Sequence, residues 1–201
     1  MGKIYFLVDV ECTGVNFLKD HVFDIGVIIT DGKKEIGRYQ RFITIDKKLL
    51  REAIENIGHI ISIDIDLIYS EGKNIHQVCT EFMNLIYSYQ ENNELFFVGH
   101  NVDFDYNMIL HTLMKAGKDY DTDNFENLFS KNKVDTIELA KYHIPGLDYY
   151  SLQMLIDKLN LCPQLSEKRK LLKHSALLDC ELLLCLFHYL KSLSPFEDLF
   201  V

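Results

Sequence analysis

Three strand-forming segments stand together at the start of this 201-residue chain, and they constrain its fold more than any other feature. They are rich in β-branched and aromatic residues, and Asp31-Gly32 marks a hairpin turn between the second and the third. Helical patterns then alternate with two short apolar strands. The predicted strands cover residues 3–10, 21–30, 35–45, 95–99 and 134–135. This order predicts an α/β fold built on a sheet of mixed direction.

Helix signals fill much of the remaining chain. Apolar residues recur at helical spacing in residues 74–89. Asn101, Ser151 and Ser175 are predicted N-caps, and Gly117 is predicted to end the helix that Asn101 begins. Three prolines and the absence of a low-complexity linker predict one domain over residues 1–201. The predicted helices cover residues 47–57, 74–89, 102–116, 136–142, a segment after 151, and 176–190.

The net charge of the chain narrows the range of functions it can have. It carries 21 basic and 30 acidic residues, a net charge of −9 at pH 7. A surface of this sign repels polyanions, so a passive nucleic-acid-binding protein that works through bulk charge is not favoured. An enzyme that handles phosphates through carboxylate-bound cations is compatible with the charge, because acidic residues would be its ligands.

The cysteines and the apolar segments indicate the cellular compartment in which the protein is expected. Five cysteines without a CxxC pair predict neither a zinc framework nor a disulfide framework, so a reducing compartment is expected. The apolar run at residues 4–8 is too short for the core of a signal peptide, and no stretch reaches the ~18 apolar residues of a membrane span. A cytoplasmic location is therefore expected.

Acidic side chains gather at the ends of two predicted strands. Asp9 and Glu11 lie at i and i+2, so both side chains share one face of the first strand. Two adjacent carboxylates repel each other unless a cation or a proton lies between them, although a solvated strand end explains the pair equally well. Asp103 and Asp105 follow the fourth strand, in the first turns of a helix whose dipole alone would favour them.

A third cluster runs from His174 to Asp179. With Ser175 as the N-cap, His174 precedes the helix and Asp179 lies in its second turn, so both can serve one site. Taken alone, a loop histidine is more often a surface residue. Together, the three clusters favour hydrolysis at phosphorus with two hard cations, with a histidine that accepts the proton of the attacking water.

These clusters, in this order and spacing, resemble the three motifs of the DEDDh 3′–5′ exonucleases. The resemblance covers roughly residues 3–191. Residues 168–179 are similar to the third motif of the epsilon-type proofreading subunit of bacterial DNA polymerase III. The matching segments are Asp9-Val-Glu11-Cys-Thr-Gly14, His100-Asn101-x-x-Phe104-Asp105 and His174-x-x-x-x-Asp179.

The resemblance implies a ribonuclease H-like fold, a five-stranded mixed sheet flanked by helices. It also implies two divalent cations, Mg²⁺ or Mn²⁺, and it makes His174 the general base. Asp105 is preferred to Asp103 because the family's ligand directly follows a Phe. The family's metal ligands correspond to Asp9, Glu11, Asp105 and Asp179.

The resemblance further implies a set of substrate contacts. Residues 12–14 would pass beside the terminal nucleotide and offer backbone amides. His59 lies in a segment similar to the family's HGIT, with Ile60 in place of Gly, and His100 would either approach the substrate or hold its loop. Cys12 as a nucleophile is an alternative for which the sequence shows no ordered base. The implied substrate-binding residues are Cys12, Thr13, Gly14, His59 and His100.

The function implied by the resemblance is hydrolysis of the terminal phosphodiester at a 3′ end, with release of nucleoside monophosphates. Single-stranded or frayed DNA is the expected substrate, in proofreading or repair. An RNA-trimming exonuclease similar to ribonuclease T or oligoribonuclease is the alternative, because contacts to a 2′-hydroxyl cannot be read from the sequence. A catalytically idle nucleic-acid-binding module would lack a ligand, and all five catalytic positions are intact.

The last ten residues suggest a protein partner. Pro195 cannot continue a helix, so the segment 192–201 is expected to leave the domain there. Asp198-Leu199-Phe200 resembles the end of the peptide with which bacterial replication proteins bind the sliding clamp, without its leading Gln. The other interpretation is that Leu199 and Phe200 pack onto the domain. A DNA polymerase or a sliding clamp is the expected partner.

Overall fold

The computed structural model describes residues 2–57, 65–117, 122–172 and 175–193. Within these ranges the chain forms five strands and nine helices. The strands are β1 (Gly2–Cys12), β2 (Val22–Thr30), β3 (Glu35–Phe42), β4 (Asn93–Gly99) and β5 (Lys133–Asp135). The helices are α1 (Lys47–Ile57), α2 (Ile65–Glu71), α3 (Ile75–Gln90), α4 (Val102–Ala116), α5 (Thr122–Phe129), α6 (Thr136–His143), α7 (Leu152–Lys158), α8 (Pro163–Leu172) and α9 (Ala176–Leu193).

The five strands form one mixed sheet in the order β3-β2-β1-β4-β5, as the sequence predicted. The pairs β1–β2 and β2–β3 are antiparallel, and the pairs β1–β4 and β4–β5 are parallel. The carboxyl ends of β1, β4 and β5 therefore meet at one edge of the sheet. In α/β proteins this edge is where ligands bind.

The first strand is longer than predicted. It continues through Glu11 and Cys12, which pair with β2, and its register shifts between these two residues. Glu11 is therefore a buried residue of the sheet and does not belong to a loop. In contrast, β3 ends at Phe42, three residues earlier than predicted. The helices α2, α5 and α8, of seven, eight and ten residues, were not predicted from the sequence.

Side chains of alternating strand residues form two hydrophobic clusters, one on each face of the sheet. Phe6 of β1 packs with Phe97 and with Phe129 of α5 on one face, where the ring centroids of Phe6 and Phe129 are 5.8 Å apart. Leu7 packs on the other face with residues of α9, including Phe187. The sheet is thus covered on both faces, which fixes the positions of its strand ends.

Gly26 of β2 permits the start of α9 to lie directly on the sheet. A Cβ atom at this position would lie 2.5 Å from both the carbonyl oxygen of Ala176 and the amide nitrogen of Leu177. Any larger residue would push the helix away. Because Gly26 pairs with Asp9 across the two strands, this close approach brings the first turn of α9 beside the end of β1.

One disulfide corrects the expectation drawn from the cysteine pattern. Cys162, just before α8, is bonded to Cys185 of α9. Their separation of 23 residues matches no short cysteine motif, and the pair meets only because the turn before α8 packs against α9. No helix in the described parts of the chain is long and apolar enough to cross a membrane.

Candidate active site

Three predicted carboxylates converge at the sheet edge. One carboxylate oxygen from each of Asp9, Glu11 and Asp179 lies within 4.8 Å of the others, and this is the group of potential metal ligands found among the described residues. β1 supplies Asp9 and Glu11, and the first turn of α9 supplies Asp179, not the second turn that the sequence predicted. Glu11 and Asp179 are buried, whereas Asp9 is partly exposed. The fold therefore brings together two sequence motifs that lie 168 residues apart, counted from Glu11 to Asp179.

The electrostatics of this cluster fit a divalent cation. Burial raises the pKa of Asp9 well above its ordinary value, and the charges of Asp105, Asp179 and Glu11 raise it further. Burial likewise raises the pKa of Glu11 to about 8, with added repulsion from Asp179. A bound cation would relieve both effects, because it replaces repulsion by attraction. A ligand set made only of carboxylate oxygens suits hard cations such as Mg²⁺ and Mn²⁺.

Asp105 lies just behind these three residues, in the first turn of α4. It is buried, and its Oδ1 accepts a hydrogen bond of 3.1 Å from the backbone N–H of Val10. Burial raises its pKa to about 8. The carboxylate is therefore held against β1 next to Asp9, although it is not one of the three whose oxygens lie within 4.8 Å of one another.

The start of α4 departs from the predicted capping. Asn101 occupies the N-cap position with a left-handed backbone (φ 74°), but its side chain makes no capping hydrogen bond. The carboxylate of Asp135, at the end of β5, accepts from the N–H groups of Asn101 and Val102 at 3.2 Å each. Asp135 also accepts from Ile137 at 2.8 Å and so caps its own helix, α6. One carboxylate from a neighbouring strand thus fixes the helix that carries Asp105.

The start of α9 is held in a similar way. Ser175 occupies the N-cap position, and its carbonyl accepts from the N–H of Asp179 at 3.0 Å. The carboxylate of Asp24 on β2 accepts from the N–H of Ala176 at 3.2 Å and from the Gln40 side chain at 3.0 Å. Burial raises the pKa of Asp24 to about 6, although these hydrogen bonds oppose the rise. Ser151 stands at the N-cap of α7 without a side-chain capping bond.

His100 lies at the cavity beside the carboxylates, and protein groups contact both of its ring nitrogens. Nδ1 is 2.9 Å from the hydroxyl of Thr136, and Nε2 donates to the carbonyl of Tyr150 at 2.7 Å. Burial lowers the pKa of His100. The imidazole thereby connects the end of β4 to α6 and to the segment before α7.

Residues 12–14 continue from β1 directly past the carboxylates. The thiol of Cys12 donates to the carbonyl of Gly14 at 3.0 Å, and the hydroxyl of Thr13 accepts from the N–H of His21 at 2.9 Å. Burial raises the pKa of Cys12 to about 12. The thiol is therefore neutral near pH 7, which disfavours the alternative of a cysteine nucleophile.

A cavity of about 610 Å³ opens from the carboxylates toward α6 and the segment before α7. Asp9, Glu11 and Asp179 line its floor. Lys141 and Tyr149 line its wall, and Tyr149 is 76% exposed. The cavity offers a carboxylate cluster, a cation and an exposed aromatic ring to one ligand.

Arg169 is a site residue to which sequence reasoning assigned no role. Its Nε donates to Oδ1 of Asp179 at 2.5 Å and its Nη2 donates to Oδ2 at 2.8 Å. Arginine is scarce in this chain, with four residues against 17 lysines, and a lone arginine among lysines near the third motif was the available signal.

Several predicted positions lie outside the described residues. They are His59, His174 and the segment 194–201 with Asp198, Leu199 and Phe200. Their predicted roles therefore stay predictions.

Comparisons with known proteins identify the family. The family model for exonucleases (RNase_T) matches residues 6–187. The chain is 28% identical over 153 residues to the 3′-5′ exonuclease DinG of Staphylococcus haemolyticus, which covers 76% of this chain and 15% of that protein. It is 25% identical over 160 residues to the PolC-type DNA polymerase III of Thermotoga maritima, which covers 79% of this chain and 10% of that protein.

Solved structures show the same fold. E. coli exonuclease I in complex with a dA16 oligonucleotide superposes with a TM-score of 0.74 at 16% identity, over 98% of this chain and 43% of that one. Exonuclease I from Methylocaldum szegediense gives a TM-score of 0.69 at 15% identity, over 96% of this chain and 41% of that one. The sheet order and these superpositions confirm the predicted ribonuclease H-like fold. The chain belongs to the exonuclease family.

Proposed function

We propose that this protein is a metal-dependent 3′–5′ exonuclease that releases nucleoside monophosphates from the 3′ ends of DNA. The observation that carries the proposal is the convergence of Asp9, Glu11 and Asp179 within 4.8 Å, with Asp105 buried beside them. These are the four acidic positions of the family motifs. Carboxylates this close together repel one another unless a cation or a proton lies between them, and this supports the proposal of a cation site.

Asp9, Glu11, Asp105 and Asp179 would hold two divalent cations, Mg²⁺ or Mn²⁺. When bound, such cations lower the pKa of the attacking water and stabilise the leaving oxygen. The protein's own contribution is to hold four carboxylates in fixed positions. Asp105 is oriented by the N–H of Val10, and Asp24 holds the first N–H of α9 and so fixes the helix that carries Asp179.

His174 would accept the proton of the attacking water. It stands five residues before Asp179 and one residue before Ser175, the N-cap of α9. Histidine is the side chain that most readily gains and loses a proton near neutral pH, which suits it to this role. This role follows from the third motif and from the need for a base beside the cations.

Residues near the cavity would position the substrate strand. Residues 12–14 would offer backbone amides to the terminal nucleotide, and His59 would contribute from its own segment. His100 would act by holding the loop after β4, because both of its nitrogens already contact protein groups. Lys141, whose exposed ion pair with Glu138 is weak, would supply a cation for a phosphate. Tyr149 would supply an exposed ring on which a base can stack.

The names of the relatives favour DNA as the substrate. They are a 3′-5′ exonuclease and a DNA polymerase III, and a structural neighbour holds a dA16 oligonucleotide. The chain spans 15% or less of the length of these two curated relatives. We therefore extend only the exonuclease step to this chain, as one catalytic domain over residues 1–201. A polymerase or a sliding clamp is its proposed partner.

A comparison of substrates tests this function. Matched 5′-labelled single-stranded DNA, single-stranded RNA and a duplex with a 3′ mismatch would each be digested with Mg²⁺ and with Mn²⁺. We expect stepwise shortening from the 3′ end, fastest on single-stranded DNA and on the mismatched end. Faster digestion of RNA would favour the RNA-trimming alternative, and binding without cleavage would favour the idle module.

A further inference from the structure

The ion pair between Arg169 and Asp179 occupies a carboxylate that a cation would need. Both oxygens of Asp179 accept from the same guanidinium, at 2.5 and 2.8 Å. The two side chains are 16% and 6% exposed, so water and salt screen the pair little. A guanidinium with two bonds to one carboxylate is a strong and directional partner.

Neighbouring groups hold Arg169 in this position. Its Nη1 donates to Oε1 of Gln153 at 3.3 Å. The amide nitrogen of Gln153 donates to the Ser166 hydroxyl at 2.6 Å and to Asp157 at 3.0 Å. These two bonds turn the amide oxygen of Gln153 toward the guanidinium. The arginine is therefore part of a fixed network between α7, α8 and α9.

The position of α8 reinforces this arrangement. The disulfide between Cys162 and Cys185 ties the start of α8 to α9, which carries Asp179. Arg169 lines the same cavity as Asp9, Glu11 and Asp179, so its positive charge lies beside the whole cluster and not beside Asp179 alone. Arg169 thus neutralises part of the carboxylate cluster as a whole.

We propose that Arg169 is the built-in counter-ion of the cation-free site, and that its guanidinium competes with a divalent cation for Asp179. This inference rests on the proposed function, because it takes Asp179 as a cation ligand. The competition sets the cation affinity of the site below that of the carboxylates alone. It also keeps the buried carboxylates partly neutralised when no cation is bound.

Binding of Mn²⁺ in the absence of nucleic acid tests the competition directly. Free Mn²⁺ would be measured by electron paramagnetic resonance during titration of the wild type, of Arg169→Gln and of Lys170→Gln. Lys170 is the matched control, because it is the adjacent charge on α8 and pairs with Asp157 and Glu167 instead of the cluster. We expect Arg169→Gln to tighten the Kd roughly tenfold and Lys170→Gln to change it less than about twofold.

A second variant guards against loss of folding. Arg169→Lys keeps the positive charge but offers a single ammonium in place of the guanidinium fork, so its Kd should lie between those of the wild type and Arg169→Gln. An unchanged or weaker Mn²⁺ affinity in Arg169→Lys, or in folded Arg169→Gln, would overturn the inference and leave the proposed function standing. A wild type that binds no Mn²⁺ would contradict both.

Discussion

Asp103 and Asp105 stand two residues apart on α4 and lie in opposite environments. The carboxylate of Asp103 is 69% exposed and forms an ion pair with Lys133 at the surface. The carboxylate of Asp105 is buried and accepts the N–H of Val10. This contrast follows from helical geometry, because residues two apart point about 200° away from each other around the axis.

Asp105→Asn should therefore remove nearly all exonuclease activity, whereas Asp103→Asn should retain most of it. The two substitutions change the charge equally and differ only in whether the carboxylate faces the site. Initial rates on single-stranded DNA with Mg²⁺ measure the difference. The reverse order of activities would show that the second motif is assigned to the wrong aspartate.

His174→Ala should lower the rate by roughly 10²–10⁴, the usual contribution of a positioned acid or base. Mn²⁺ affinity should stay close to that of the wild type, because carboxylates hold the cations. The wild-type rate should also fall as the pH drops toward about 5, since a protonated imidazole cannot accept a proton. A wild-type rate that is flat from about pH 5 to 8 would contradict the role of base.

The cation-free protein should lose stability as the pH rises. The pKa values of Glu11 and Asp105 are about 8 in the folded chain, against ordinary values of 4.5 and 3.8. At pH values between the ordinary pKa values and the raised ones, the folded state binds more protons than the unfolded state. The free energy of unfolding therefore falls as the pH rises through this range. Melting temperatures in EDTA should decrease from pH 5.5 to 8, and Mg²⁺ should reduce the decrease.

The predicted dependence of the melting temperature on pH has a matched control variant. Asp105→Asn removes one of the carboxyl groups whose pKa is raised, so its melting temperature in EDTA should vary less with pH than that of the wild type. A melting temperature that rises across the same range in EDTA would show that the carboxylates are already ionised without a cation.

Gly26→Ala should lower the free energy of unfolding by about 3 kcal/mol, because the new methyl group meets the backbone of Ala176 and Leu177. Gly37→Ala on the adjacent strand is the control. Its methyl group meets mainly the hydroxyl end of Tyr89, a flexible side chain, and should cost less than about 1 kcal/mol. Urea unfolding of both variants measures the difference. Equal losses would show that the close approach of α9 to β2 is not required.

Much of the sheet could be predicted because its signals are local, and Asp9 and Glu11 alternate along one strand as predicted. The choice of Asp105 over Asp103 as a cation ligand came from the resemblance to the family motif, in which the ligand follows a Phe, and it stays a prediction. The position of Gly117 at the end of α4 was also confirmed, with a φ of 122° that suits glycine.

Long-range partners could not be predicted from local patterns. Capping rules placed Asn101 and Ser175 correctly at helix starts, yet Asp135 and Asp24 accept the first N–H groups there. Asp135 belongs to β5 and Asp24 to β2, so neither lies next in the sequence to the helix start that it caps. The contact of Arg169 with Asp179 and the disulfide between Cys162 and Cys185 likewise depend on how α8 packs against α9. No residue spacing in the sequence predicts that packing.

The most direct test of the account is digestion of 5′-labelled single-stranded DNA by the wild type, with Mg²⁺ and with excess EDTA. The carboxylate cluster predicts a ladder that shortens from the 3′ end with Mg²⁺, release of nucleoside monophosphates, and no cleavage in EDTA. Full activity in EDTA would contradict a site in which Asp9, Glu11, Asp105 and Asp179 act by holding divalent cations.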